Sequence, residues 1–176
     1  MKSIIQHYEN IALSNVDIFR LLRGNVKIEL YPNLYKYYNL DELLGPHGAC
    51  ILLFEARPNY GHWVLIFKLN NNEIEFFNPY GGYPDDTLLE INIKFRKQSN
   101  QIKPILSQLL MDSPYELTYN EFQFQRKSPD IKTCGRHCVV RLLNRHLSLY
   151  KYVKFLNNMI DEIENDYDAV VTYLTI

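Results

Sequence analysis

The chain has 176 residues, a formal net charge of −1, 47% hydrophobic residues and three cysteines. That length suits one domain whose core can hold it together without disulfides or metal, and the near-zero charge argues against a nucleic-acid binder that works through bulk basicity. Cys50, Cys134 and Cys138 are too few, and odd in number, for a disulfide scaffold, so a reducing intracellular setting is the expectation. The longest uninterrupted apolar run, Ala49–Phe54, is six residues, against about 20 for a spanning helix. The N-terminus has no apolar core of signal-peptide length, so a soluble protein with no membrane partner is expected.

In chain order, Ser14 caps a short helix through Val16, Phe19, Leu21 and Leu22 that Gly24 ends. Lys27–Tyr31 reads as a strand stopped by Pro32, and Asn39–Leu44 as a helical turn. Ala49–Glu55, His62–Leu69 and Glu73–Phe77 are near-continuous apolar strands, which suggests a sheet covered on both faces. The last two strands form a hairpin across Asn70-Asn71-Asn72. Ile102–Met111 has helical period with Pro104 in its first turn, and Glu116–Tyr119 reads as an outer strand. Phe122–Lys132 is an irregular loop; Cys134–Leu147 is a strong helix, Ser148 starts another, and the apolar tail 167–176 packs back. Strands first and helices second indicate an α+β fold. The boundaries are a single domain, 1–176, with an N-terminal helical lobe (1–45), a core (46–147) and C-terminal helices (148–176).

Four residues carry candidate chemistry. Cys134 stands in Lys132-Thr133-Cys134-Gly135-Arg136-His137-Cys138. Thr133 as N-cap places the thiol in a first helical turn, where free N–H groups and the helix dipole favour a thiolate nucleophile. Gly135 permits close approach of a backbone or a substrate; a buried structural cysteine is the competing reading. His62 opens its strand ahead of Trp63, the only tryptophan, at a sheet end where a general base is held rigidly; a surface histidine at a turn is the alternative. Asn78 ends the partner strand in Asn78-Pro79-Tyr80, so hairpin geometry brings it beside His62, where its amide oxygen can orient the imidazole. Gln125, or Gln123 in its place, precedes the cysteine helix and can donate a side-chain N–H to an oxyanion.

The ordered set His62-Trp63, Asn78-Pro79, a loop glutamine and Cys134-Gly135 resembles the adenovirus-type and ubiquitin-like-protein-specific cysteine protease clan. Within it the Thr133–Cys138 motif is most similar to maturation proteases of large DNA viruses. The resemblance spans roughly residues 50–145. It implies a permuted papain-like α+β fold, in which a central mixed or antiparallel sheet carrying the base packs against a helix carrying the nucleophile. It implies a thiol endopeptidase with a Cys134–His62–Asn78 triad, Gln125 or Gln123 in the oxyanion hole, and Trp63 and Gly135 against the substrate, with no cofactor and no metal. The substrates implied are viral structural precursors cleaved after small residues such as glycine, in the host cytoplasm or the virion; a ubiquitin-like tail is the alternative. Two positions depart from the family pattern: Asn78 stands where an acid is usual, and the Gln125–Cys134 gap is longer than usual.

Two rival readings come from the same segment. Cys134, His137, Cys138 and His146, or His47 with Cys50, would be the ligands of a structural zinc. Arg126, Lys127, Lys132, Arg136, Arg141 and Arg145, in the basic stretch 126–145, would draw an acidic partner or nucleic acid to a catalytically inactive module; the plainer reading is a solvated face. Cys50 and Cys138 read as core, and Asp161, Glu162, Glu164, Asp166 and Asp168 as a solvated helix end.

Overall fold

The computed structural model describes residues 2–163 and 165–176, so Glu164 lies outside the described residues. Five strands form one sheet in sequence order: β1 (Lys27–Leu30), β2 (Ala49–Arg57), β3 (Tyr60–Lys68), β4 (Glu73–Phe77) and β5 (Glu116–Tyr119). The outer pairs, β1 with β2 and β4 with β5, are parallel; the two inner pairs are antiparallel. The β3–β4 hairpin turns on Asn70, whose side-chain oxygen accepts the N–H groups of Asn72 and Glu73. That satisfies turn donors that no strand can reach.

Strand alternation divides the core in two. Cys50, Leu52, Phe54, Val64, Ile66, Ile74 and Phe76 face a layer containing Tyr31, Leu40 and Leu43 of α3 (Leu40–Leu44), and Leu106 and Leu110 of α5 (Ile105–Met111). Ile51, Leu53, Trp63, Leu65, Phe67 and Phe77 face α6 (Cys134–Leu143), backed by Tyr152 and Leu156 of α7 (Leu149–Ile163) and Val170 of α8 (Tyr167–Tyr173). This is the α+β layout expected: a mixed sheet, covered on both faces, against a helix that begins with Cys134. Two N-terminal helices, α1 (Lys2–Glu9) and α2 (Asn15–Leu21), pack on α8 and α6. Ser14 caps α2 reciprocally with Asp17. The 1–45 segment also supplies β1 to the sheet. A further short helix, α4 (Ile93–Gln98), follows the hairpin.

Several expectations need correction. The cysteine helix stops at Leu143, not Leu147, and Arg141 braces the turn that follows. Its guanidinium forms a two-pronged ion pair with Glu75 of β4, both bonds 2.8 Å, and also donates to the carbonyls of Asn144 and Leu147. The Asn144 carbonyl also accepts the Leu147 N–H at 3.0 Å, closing a turn rather than continuing the helix. The basic stretch is a solvated face only in part: Arg126 and Lys127 are exposed, the helix arginines are not. Arg136 and Arg141 are buried, and Arg145 donates to the carbonyls of His47, Gly48 and Lys68. Asp168 is fully buried rather than part of a solvated helix end.

Among the described residues no helix is long and apolar enough to cross a membrane, and no three metal-binding side chains converge. Cys50 lies on the opposite sheet face from Cys134 and Cys138, so the residues considered for zinc do not gather.

Candidate active site

The end of the sheet where β3 begins is shaped by one glycine. A Cβ on Gly61 would lie 1.8 Å from the carbonyl oxygen of Phe54, in a stretch where the β2–β3 register shifts. Only glycine permits that approach, and the strand then delivers His62 and Trp63 to opposite faces. Trp63 joins the α6 side of the core, its indole N–H donating to the Leu13 carbonyl at 3.2 Å.

His62 meets Asn78 as the hairpin requires. Nε2 of His62 lies 2.7 Å from Oδ1 of Asn78. That oxygen also accepts the Tyr80 N–H at 3.0 Å, while Nδ2 points toward the Thr87 hydroxyl, so the amide orientation is fixed by its other partners. An acceptor at Nε2 means that this nitrogen carries the proton, and the neutral ring keeps its lone pair on Nδ1. Asn120 holds the Asn78 backbone at both N–H and carbonyl. Tyr80 stacks on the imidazole, centroids 4.3 Å apart and 7° from parallel. Burial pushes the imidazole down to about 4, with the Asn78 hydrogen bond pulling the other way.

Cys134 begins α6. The first helical hydrogen bond runs from His137 N–H to the Thr133 carbonyl, so the N–H groups of Cys134, Gly135 and Arg136 have no partner within the helix. Thr133 stands at the N-cap as expected, with Cys134 in the first turn, but its hydroxyl makes no capping bond and donates to Asp168. The thiol is not lowered either. Burial pushes it above the ordinary cysteine value, and nearby backbone N–H groups of Trp63, Gly135 and Cys134 offset this only in part. Both shifts, His62 downward and Cys134 upward, favour the uncharged forms, thiol and neutral imidazole.

Gln125 is buried, and its Nε2 donates to the Ile131 carbonyl at 3.2 Å. Its loop is pinned to the Asn78 turn, because the N–H groups of Phe124 and Gln125 both donate to the Pro79 carbonyl. Gln123 is exposed and donates to the Gln125 carbonyl instead. A cavity of about 830 Å³ is lined by His62, Trp63, Tyr80, Gln125 and Cys134. Gly135 is not in that lining; a Cβ there would stand 3.2–3.3 Å from Trp63, Ile18 and Leu13, so the glycine permits close packing of α6.

The sequence reading missed Tyr80, Asn120 and Asp168. Tyr80 had a signal, since an Asn-Pro turn places the next N–H within reach of the Asn side chain. Asn120 and Asp168 act across long sequence separations and leave no local pattern.

Comparison with known proteins adds the family. No protein-family model matches the sequence. The uncharacterized protein V9 of Sputnik virophage is 51% identical over 172 residues, covering 98% of either chain. The chain belongs to the V9 family. The V9 relative matches from end to end, so the whole architecture described above is shared ground for the two chains. Among solved structures, a crystal structure of the selenomethionine form of the ASFV pS273R protease is similar at a TM-score of 0.47 and 17% identity, over 96% of this chain and 70% of that one.

Proposed function

We propose that this chain is a cysteine endopeptidase, with Cys134 as nucleophile, His62 as base and then acid, Asn78 orienting His62, and Gln125 donating to the oxyanion. The observation that carries the reading is the convergence of a helix-starting thiol, an imidazole with its proton fixed on Nε2 and a buried glutamine amide on one cavity.

The chemistry follows from the neutral pair. His62 Nδ1 takes the thiol proton as Cys134 Sγ bonds to the scissile carbonyl carbon, and the carbonyl electrons move onto oxygen. The Gln125 Nε2–H and the Cys134 N–H stabilise that oxyanion; loss of one such donor costs about 10²–10³ in rate. The imidazolium returns its proton to the amine nitrogen as the C–N bond breaks, leaving a thioester. Water, deprotonated by His62, then releases the acid and restores the thiol. Asn78 accepts from Nε2–H throughout, and it steadies the imidazolium less than a carboxylate would.

A relative encoded by a virophage accords with a viral maturation role, in which structural precursors are cut after small residues such as glycine. The test is labelling with a peptidyl electrophile ending in glycine, followed by mass mapping. The adduct is expected on Cys134 and absent in His62→Ala. An adduct distributed over Cys50 and Cys138, or undiminished in His62→Ala, contradicts the reading.

A further inference from the structure

Asp168 belongs to α8, remote in sequence from every residue named above as catalytic, yet it touches both sides of the oxyanion site. Its Oδ1 accepts from the Thr133 hydroxyl and from His137 Nε2–H, the latter at 3.0 Å. Its Oδ2 accepts from Arg126 twice, the backbone N–H at 3.0 Å and Nε at 3.2 Å. Thr133 immediately precedes Cys134, and His137 is one turn further along α6. Arg126 immediately follows Gln125. One buried carboxylate therefore bridges the segment that presents the Cys134 N–H and the segment that presents the Gln125 amide.

An apolar side chain of similar size would join α8 to α6 without the cost of burying a charge. A carboxylate adds direction, because four donors on two separate segments converge on two oxygens. Burial alone would raise this acid; its bonds to His137, Thr133 and Arg126 outweigh that and hold it below the ordinary aspartate value, so it stays ionised as an acceptor for all four. The loop side is fastened again at Asp166, which Arg126 Nε meets at 3.0 Å.

We infer that Asp168 is a positioning residue that sets the spacing between the Gln125 side-chain N–H and the Cys134 backbone N–H. Its catalytic consequence rests on the protease reading above; its structural consequence does not. Asp168→Asn separates the two segments. The amide oxygen still serves Thr133 and His137, while the amide N–H groups now face the Arg126 donors and release the loop.

The experiment pairs kinetics with hydrogen exchange on the full chain. In Asp168→Asn the expected result is a fall in kcat of about 10-fold or more, with KM and iodoacetamide alkylation of Cys134 unchanged. Exchange should quicken across 122–133 and stay slow in β2–β4. Unchanged exchange across 122–133, or unchanged kcat beside a Cys134-dependent wild-type activity, overturns the inference. If the wild type cleaves nothing, the protease reading fails and exchange alone decides the bridge. Should Asp168→Asn not fold, Thr133→Val and Thr133→Ser decide instead. The valine is expected to quicken exchange at the start of α6 and lower kcat, and the serine to restore both; equal behaviour of the two overturns the inference.

Discussion

Nε2 of His62 and Oδ1 of Asn78 stand 2.7 Å apart, and this one hydrogen bond determines which imidazole nitrogen is free to take a proton. Asn78→Ala should remove that choice and let the ring turn. A loss in kcat/KM of about 10²-fold is expected, with KM little changed. Asn78→Asp places a negative charge beside the ring, which favours imidazolium and raises its pKa. The acid limb of kcat/KM, set by protonation of the free base, should move to higher pH in that variant.

The protonation state of the resting pair is open to direct measurement. His62 is pushed down to about 4 and Cys134 upward, so no thiolate should be present near neutral pH. The absorbance of wild type minus Cys134→Ala near the thiolate band, about 240 nm, should stay flat through neutrality and rise only above the ordinary cysteine pKa of about 8.5. kcat/KM should hold its plateau downward and fall only as pH approaches about 4, where the base is protonated. A thiolate signal already full at neutral pH would mean that the ion pair forms in the free protein.

Arg141 and Glu75 form the fully buried ion pair that ties α6 to β4. Glu75→Gln leaves the guanidinium buried without its counter-charge, a change that costs about 3–5 kcal/mol. At about 2–4 °C per kcal/mol for a chain of this size, the melting temperature should fall by about 6–20 °C. A drop within experimental error would show that the carbonyls of Asn144 and Leu147 suffice to hold Arg141.

Gly61→Ala should damage the site more than its size suggests. The added methyl collides with the Phe54 carbonyl at 1.8 Å, so the start of β3 must move and carry His62 with it. Loss of Cys134-dependent activity is expected along with reduced stability, whereas Ala56→Gly, also at the rim of the cavity, should change activity little. Comparable activity in the two variants would contradict the role given to the bulge.

The local signals were readable because each rests on short-range physics. Near-continuous apolar runs gave β2, β3 and β4, the Asn-rich turn joined the last two, and hairpin geometry put His62 beside Asn78 whatever the exact register. Ser14 announced the start of α2. What stayed hidden was set by tertiary partners. Thr133 is the N-cap that the sequence suggests, but a buried Asp168 claims the hydroxyl that would have bonded the helix N–H groups. Arg136 and Arg141 read as surface until Thr175 and Glu75 accept from them in the interior. The helix start favours a thiolate at Cys134, but burial, invisible in the sequence, outweighs it.

The central claim is that Cys134, oriented by this fold, cuts peptide bonds. The direct measurement is cleavage of a peptide library by the wild-type chain beside Cys134→Ala at matched concentration, with products read by mass spectrometry. Discrete cleavage sites, enriched in small residues such as glycine before the cut, are expected and should vanish in Cys134→Ala. Cleavage that persists unchanged in Cys134→Ala, or a folded wild type that cuts no member of the library, contradicts it.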